Sequence, residues 1–431
     1  MLLVYASLAE LASMWVQSFC GPSVANGWWA ASPQVQKPLS YLVGWLSAIG
    51  WQVYLAGVCF MVGGLIQALM SLNHEAYVPE RWHQTLLTIA VVVSSVVFNT
   101  VLAVKLPLIE GILLTLHLCG VFAIVIPLWV MAPRAPVDVA LFKYTNVGGW
   151  DTTGLAAMIG MVTPLNVLIG YDCTVHMAEE LYDASITLPK AIMWSVAPNA
   201  CLGILVILTL AFCSGNIEEV LQTRTGEPFV QIFYNATGSK AASSVMVTIV
   251  IILLISCCLS EVATASRQLW SFARDKGLPA STWLEQVRPG WNIPLRAVFV
   301  SVLIVLLLSL INIGSTTALR SISSLGAVAI LGSYLVTIGT LIWRRIFGAP
   351  LPTRRWSLGR YGLGINIIAF CFVLPLFVFA FFPLTKDVDR KTFNYASVMF
   401  VGVLFVALIY YTIRGKKLYA GPVALVRRDQ Q

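Results

Sequence analysis

The sequence is 431 residues long and strongly apolar, with 58% hydrophobic residues, 11% charged residues and a mean hydropathy of +0.83. Soluble domains carry about 25% charged residues, so this composition excludes an ordinary soluble protein and indicates a chain that crosses a membrane many times. The net charge of +8 is explained by membrane topology, because cytoplasmic loops collect lysine and arginine. It gives no reason to expect a nucleic-acid partner.

Ten apolar segments are long enough for a bilayer, which a helix crosses with roughly 20 apolar residues. We predict spans at 39–72, 84–104, 107–131, 154–177, 191–213, 244–266, 295–312, 321–343, 364–384 and 395–413. The segment 1–16 is apolar but short, and it carries Glu10. It fits either an interfacial helix or the remainder of a span whose beginning is missing, and we favour the second. One membrane domain over 1–431 is expected.

The distribution of basic residues predicts an orientation. If the loop 17–38 is cytoplasmic and the sides alternate, 18 of the 27 basic residues fall on the cytoplasmic side. This bias predicts a cytoplasmic tail at 414–431. The loops leave no room for a soluble catalytic domain. The four histidines are scattered and form no H-E-x-x-H motif, which argues against a membrane-embedded enzyme.

The most informative interruption lies in the segment 154–177, where Gly170-Tyr171-Asp172 breaks an apolar run. A carboxylate at membrane depth is costly unless it has a partner or a watery cavity. A helix that unwinds beside a glycine frees backbone groups, which must then line a cavity or be buried in protein. Broken helices of this kind hold substrates in secondary transporters, although a glycine used for close helix packing is an alternative. We predict half-helices at 154–169 and 173–182.

Other titratable side chains within apolar spans are His117 and Glu261, and both are costly in a bilayer unless paired or hydrated. His117 could relay a proton because histidine titrates near neutral pH, or it could be a hydrogen-bonded structural residue. Each is a candidate for gating or for coupling transport to an ion.

His176, Glu179 and Glu180 follow the break with a spacing that places them on one face of an α-helix. They fit a hydrated helix end, or a gate in which the carboxylates meet Arg274 or Lys276 of a basic loop. A metal site is a weaker hypothesis because no second ligand cluster appears. Nine scattered cysteines form no C-x-x-C pair, so we expect no metal, cofactor or disulfide framework.

Four stretches of the sequence are similar to fungal amino-acid permeases of the amino acid–polyamine–organocation superfamily, in the branch of GABA and choline permeases. The resemblance extends over nearly the whole chain, and the four stretches occur in the same order as in the family. They are Ala9-Glu10-Leu11-Ala12-Ser13-Met14, Lys105-Leu106-Pro107-Leu108-Ile109-Glu110-Gly111, Gly170-Tyr171-Asp172 with Val175-His176-Met177-Ala178-Glu179-Glu180, and Phe272-Ala273-Arg274-Asp275-Lys276-Gly277-Leu278-Pro279.

The resemblance implies an all-α polytopic transmembrane bundle of twelve spans, built as a LeuT-like inverted repeat of five plus five. In that family the first and sixth spans unwind at the substrate site. Carried over, Ile169, Gly170, Tyr171 and Asp172 would form the sixth-span part of the site. The function implied is proton-coupled transport of an amino acid or a related amine, such as GABA or choline, across the plasma membrane or the vacuolar membrane. The partners implied are this small molecule, H⁺ and the lipid bilayer.

The chain departs from the family's pattern in two places. It begins partway through what would be the second span, so that the first span is expected to be absent. The segment 16–22 also differs from the proline and paired glycines that the family has there. Either the gene model starts at an internal methionine or the protein is a degenerate copy. A non-transporting truncated remnant or a regulatory membrane protein is therefore the alternative function.

Overall fold

A computed structural model describes residues 1–15, 33–102, 105–144, 146–287, 293–314, 316–389 and 392–419. Within these residues the chain forms helices and no strands. The helices are α1 (Leu2–Trp15), α2 (Pro33–Asn73), α3 (Arg81–Val101), α4 (Leu106–Met131), α5 (Val137–Phe142), α6 (Thr153–Gly160), α7 (Val162–Val167), a 3₁₀ helix (Cys173–Glu180), α8 (Ala184–Cys213), α9 (Ile217–Leu221), α10 (Pro228–Thr237), α11 (Lys240–Arg274), α12 (Ser281–Leu284), α13 (Leu295–Gly314), α14 (Thr316–Phe347), α15 (Gly362–Phe379), α16 (Ala396–Tyr410) and α17 (Lys416–Leu418).

The all-α membrane fold predicted from the sequence is confirmed. In the described part of the chain, nine helices are long and apolar enough to cross a membrane, and each coincides with one of the ten predicted spans. The remaining span, 154–177, is not one helix, because it is divided among α6, α7 and the 3₁₀ helix. Helix α2 begins six residues before the predicted 39–72 and ends one residue after it.

Helix α2 forms the centre of the bundle, and α11 and α14 both pack against it. Trp51 and Leu55 of α2 and Leu331 of α14 are fully buried there. Helices α4, α8 and α16 lie at the periphery and leave large apolar side chains exposed, such as Leu114, Ile204 and Val401. Apolar side chains on the outer face of a bundle fit contact with lipid rather than with water.

Helix α1 lies inside the bundle, where it packs against α8 and α15. Tyr5, Leu8 and Leu11 are almost completely buried, and Glu10 is buried with them. The interfacial helix considered for 1–16 is therefore wrong, since such a helix would expose its polar face to water. The segment is packed as a spanning helix would be.

The described ion pairs join loops that the charge pattern places on the same side. Lys240 pairs with Glu75, and Lys386 pairs with Asp151, between segments predicted to lie outside. On the opposite side, Arg355 pairs with Asp183, and Glu10 pairs with two arginines near the end of α14. The bundle thus has two polar ends, as the alternation of loop sides requires.

One close contact explains the glycine in the stretch 272–279. A Cβ atom added to Gly277 would lie 2.1 Å from Cε2 of Phe272, whose side chain is fully buried. We expect Gly277→Ala to lower the free energy of unfolding by about 1–3 kcal/mol through overpacking. Chemical unfolding in detergent measures this. Gly203→Ala is the matched control, because nothing lies within 4 Å of its added Cβ, and relief of the loss by Phe272→Leu would establish the ring as its cause.

Candidate functional site

The predicted break beside Gly170 is present. Helix α7 ends at Val167, and Gly170 has a φ of +114°, a backbone conformation that side chains rarely permit. The chain then continues as a 3₁₀ helix from Cys173 to Glu180. The second half-helix is therefore not the α-helix expected over 173–182. In a 3₁₀ helix residues i and i+3 are eclipsed, so the α-helical spacing used to predict one shared face for His176, Glu179 and Glu180 does not apply to this segment.

Three tyrosines from distant helices hold the unwound segment. The Tyr5 hydroxyl donates to the carbonyl of Leu168 at 2.7 Å and accepts from the amide of Gly170 at 3.1 Å. The hydroxyl of Tyr54 donates to the carbonyl of Asn166. These contacts satisfy backbone groups that the break removes from helical hydrogen bonding, which is the condition for irregular backbone at membrane depth.

Asp172 accepts a hydrogen bond from the third tyrosine, Tyr334 of α14. Its side chain is buried, with 7% of its surface exposed. The ring of Tyr334 also packs edge-on against Tyr5, at 6.1 Å between ring centroids. Asp172 thus joins the break to α14, and its carboxylate has the partner that its depth demands.

A cavity of about 550 Å³ lies between the unwound segment and helices α2, α8 and α11. Of the residues predicted to bind substrate, Ile169, Gly170 and Tyr171 line it, whereas Asp172 does not. Glu261 of α11 also lines it; the sequence indicated this residue as a candidate for gating or coupling and not as part of the substrate site. The other described wall residues are Val53, Tyr54, Gly57, Val58, Met61, Asn166, Val167, Cys173, Thr174, Ser195, Leu254, Cys257 and Ser260.

His176 is buried and not hydrated. Only 5% of its surface is exposed, and its ring lies edge-on to Trp51 at 5.4 Å between ring centroids. A hydrated helix end is therefore wrong for this residue. The side chains of Glu179 and Glu180 lie outside the part of the structure that is described, and so does the gate proposed for them.

The basic residues considered for that gate have other contacts. Lys276 pairs with Glu285, and its suggested pairing with Glu179 or Glu180 stays a prediction. The guanidinium of Arg274 lies over the ring of Trp270 at 4.8 Å, in a cation–π arrangement. The contact of Arg274 lies within α11, and the contact of Lys276 lies within the segment between α11 and α13.

His117 lies on α4 with its Nε2 atom 3.1 Å from Oδ1 of Asn199 on α8. The ring is half-buried. Glu110, one turn from the start of α4, accepts a hydrogen bond from Ser260 at 3.4 Å. Ser260 precedes Glu261 in α11, and this contact of Glu110 could not be predicted from local sequence.

A bundle of membrane-length helices with one helix unwound beside a cavity is the architecture of a secondary transporter. Comparison with known proteins agrees. The family model described as Amino acid permease matches residues 1–405, and the chain belongs to this amino acid permease family. It is a multi-pass integral membrane transporter and not an enzyme.

Three of the similar proteins are fungal transporters at modest identity. A Macrophomina phaseolina protein described as an amino acid/polyamine transporter is 28% identical over 84% of this chain and 80% of its own length. The choline transporter of Saccharomyces cerevisiae is 27% identical over 90% of this chain and 69% of its own length. Amino-acid permease 2 of Neurospora crassa is 25% identical, with coverages of 91% and 72%.

Proposed function

We propose that the protein is a secondary active transporter that moves an amino acid or a related amine, such as GABA or choline, together with protons. The observation that carries this proposal is the unwound backbone at Gly170, which forms one wall of the cavity. We propose the plasma membrane or the vacuolar membrane from the resemblance to fungal permeases, and a cytoplasmic C-terminus from the distribution of basic residues.

In this proposal the unwound segment has two functions, which are to bind charged groups of the substrate and to close the cavity. Its free helix ends carry partial charges of about half an elementary unit, which suit the charged groups of an amine or a zwitterion. Three tyrosines from separate helices hold it through one or two hydrogen bonds each: Tyr5, Tyr54 and Tyr334. Such bonds exchange readily when helices move, so the segment is well placed to close the cavity around a substrate and reopen it.

The names of the relatives support a nitrogen-containing small molecule as cargo. One is described as an amino acid/polyamine transporter and another as a choline transporter. The compounds in both names carry a cationic or zwitterionic nitrogen group. The cavity volume of about 550 Å³ lies within the range of roughly 300–1,000 Å³ that is typical of sites for small molecules.

Uptake of labelled compounds tests this proposal. Cells that lack their own choline, GABA and amino-acid permeases would express the chain and receive each compound, at external pH 5 to 8 and with or without a protonophore. We expect saturable uptake of at least one compound, increased by external acid and abolished by the protonophore. A chain that reaches the membrane and transports none of them would instead support the non-transporting alternative.

His117 provides a test of the proton pathway. We expect His117→Gln to retain most proton-driven uptake, because a glutamine amide can still donate to Oδ1 of Asn199. His117→Leu should lower the stability and the yield of the folded protein. It leaves the half-buried amide of Asn199 without this partner, at a cost of about 1–3 kcal/mol. Uptake and thermal unfolding measure the two effects. Loss of proton-driven uptake in a well-folded His117→Gln variant would instead identify the imidazole as a proton carrier.

A further inference from the structure

Glu261 is the buried acidic side chain that faces the cavity. Only 6% of its surface is exposed, and it lies on the cavity wall formed by α11. Its Oε2 atom has no hydrogen-bond partner within the described chain. Its Oε1 atom lies 4.0 Å from the position that a Cβ atom would take on Gly170. An unpaired carboxylate at this depth is costly, so its presence calls for a ligand that compensates it.

Asp172 differs from Glu261 in both respects. Its carboxylate accepts a hydrogen bond from the hydroxyl of Tyr334, and it is not part of the cavity wall. Glu110 is half-buried, accepts a hydrogen bond from Ser260 and is not part of the cavity wall. Of these three carboxylates, Glu261 is therefore the one that lies on the cavity wall with a buried oxygen atom that has no hydrogen-bond partner in the described structure. Asp172 is better described as a positioning residue.

The rest of the wall indicates what that molecule carries. The described lining contains no lysine, arginine or histidine, and it includes the rings of Tyr54 and Tyr171. Most of the remaining wall is aliphatic. A carboxylate and aromatic faces in an apolar enclosure suit an ammonium group, through charge pairing and cation–π attraction. They do not offer a charged partner to an anion.

We propose that Glu261 recognises the positive charge of the cargo, and that the cargo is a small ammonium compound whose binding does not require a carboxylate. The inference rests on the proposed function only in treating the bound compound as a transported substrate. The binding site itself is defined by the cavity and by Glu261. A substrate ammonium group beside Glu261 neutralises the buried carboxylate and occupies the space next to Gly170. It also explains a carboxylate that the fold leaves without a hydrogen bond.

Cysteine chemistry tests the site without transport. Cys257 lies four residues before Glu261 on α11 and lines the same cavity. Its thiolate attacks a methanethiosulfonate reagent, forming a mixed disulfide and releasing methanesulfinate. The purified chain would react with the cationic trimethylammonium-ethyl reagent and with the anionic sulfonato-ethyl reagent. Peptide mass spectrometry gives the rate at Cys257 for each, and glutathione gives the intrinsic ratio of the two reagents.

We expect the cation-to-anion rate ratio at Cys257, normalised to glutathione, to fall by about tenfold in Glu261→Gln, because one nearby negative charge is removed. Glu261→Asp keeps the charge and should keep most of the ratio, which separates a charge effect from misfolding. Glu75→Gln, in an exposed ion pair with Lys240, is the matched control and should leave the ratio unchanged. An equal ratio in the wild type and in Glu261→Gln, or no reaction at Cys257, would overturn the proposal.

Protection separates this inference from the proposed function. Choline should slow the reaction at Cys257, whereas its uncharged isostere 3,3-dimethylbutan-1-ol should not, and Glu261→Gln should abolish the difference. Protection by choline without uptake in cells would keep the binding site and reject the transport function. Uptake of choline that is unchanged in Glu261→Gln, or equal protection by the neutral isostere, would reject the role of Glu261 and leave transport standing.

Discussion

Replacement of Gly170 by alanine should lower the uptake rate at least tenfold while the protein still reaches the membrane. The reason is backbone conformation and not a clash. An added Cβ would lie 3.9 Å from Cη2 of Trp51 and 4.0 Å from Oε1 of Glu261, which are ordinary contact distances. A φ of +114° is nevertheless rarely adopted by a residue with a side chain, and holding it costs about 1–3 kcal/mol.

The segment can relieve that strain only by rotating the peptides next to Gly170. The peptide that precedes Gly170 carries the amide of Gly170, and the next peptide back carries the carbonyl of Leu168; Tyr5 is hydrogen-bonded to both groups. Rotation would therefore release Tyr5 and change the cavity wall. The effect should appear in the uptake rate more than in global stability, because the strained backbone is confined to one loop of a large bundle.

Gly160→Ala is the matched control for this experiment. Gly160 belongs to α6 in the same broken span, and nothing lies within 4 Å of its added Cβ. Alanine is the better helix former by about 1 kcal/mol, so this variant should transport as well as the wild type. Initial uptake rates at equal surface expression give the comparison. Wild-type uptake by Gly170→Ala would mean that the unwound geometry is not required for transport.

The break and the long helices could be predicted from the sequence because both depend on local composition. Nine apolar runs predict nine long helices, since backbone groups in lipid must be satisfied within the helix itself. A glycine two residues before an aspartate marked position 170, because a carboxylate is costly in an intact membrane helix. The same reasoning marked Glu261 and His117 as residues that need partners.

The partners themselves could not be predicted. Tyr5, Tyr54 and Tyr334 reach the break from three other helices, and each is simply an aromatic residue in an apolar run when viewed in sequence. Their significance depends on how the helices pack, which local patterns do not encode. For the same reason the sequence indicated Asp172 as the acidic binding residue. In the folded chain the carboxylate of Asp172 is hydrogen-bonded to Tyr334, and Glu261 is the acidic residue on the cavity wall.

Glu10 is the second position where a single substitution should have a large effect. Its side chain is completely buried, and both of its oxygens are used. Oε1 accepts from Nε of Arg354 at 2.9 Å and from the amide of Leu358 at 3.1 Å, and Oε2 accepts from Arg345. The side chains of Arg345 and Arg354 are 12% and 20% exposed, so water solvates them poorly.

We expect Glu10→Gln to lower the free energy of unfolding by about 3–5 kcal/mol, because it leaves buried positive charges without their carboxylate. Thermal and chemical unfolding of the purified protein in detergent would measure the loss. Glu75→Gln is again the control, since Glu75 lies in an exposed ion pair and its loss should change stability little. In the double variant Glu10→Gln with Arg345→Met, the loss should be smaller than the sum of the two single losses.

The consequence for transport follows from the position of Glu10 on α1. The same helix carries Tyr5, which holds the unwound segment, while Glu10 fixes the helix to the end of α14 and to the segment that follows it. Helix α14 in turn supplies Tyr334 to Asp172. Loss of the cluster should therefore loosen the break as well as the fold, and uptake per folded molecule should fall. A Glu10→Gln variant that is destabilised but transports normally per folded molecule would show that the cluster and the break are independent.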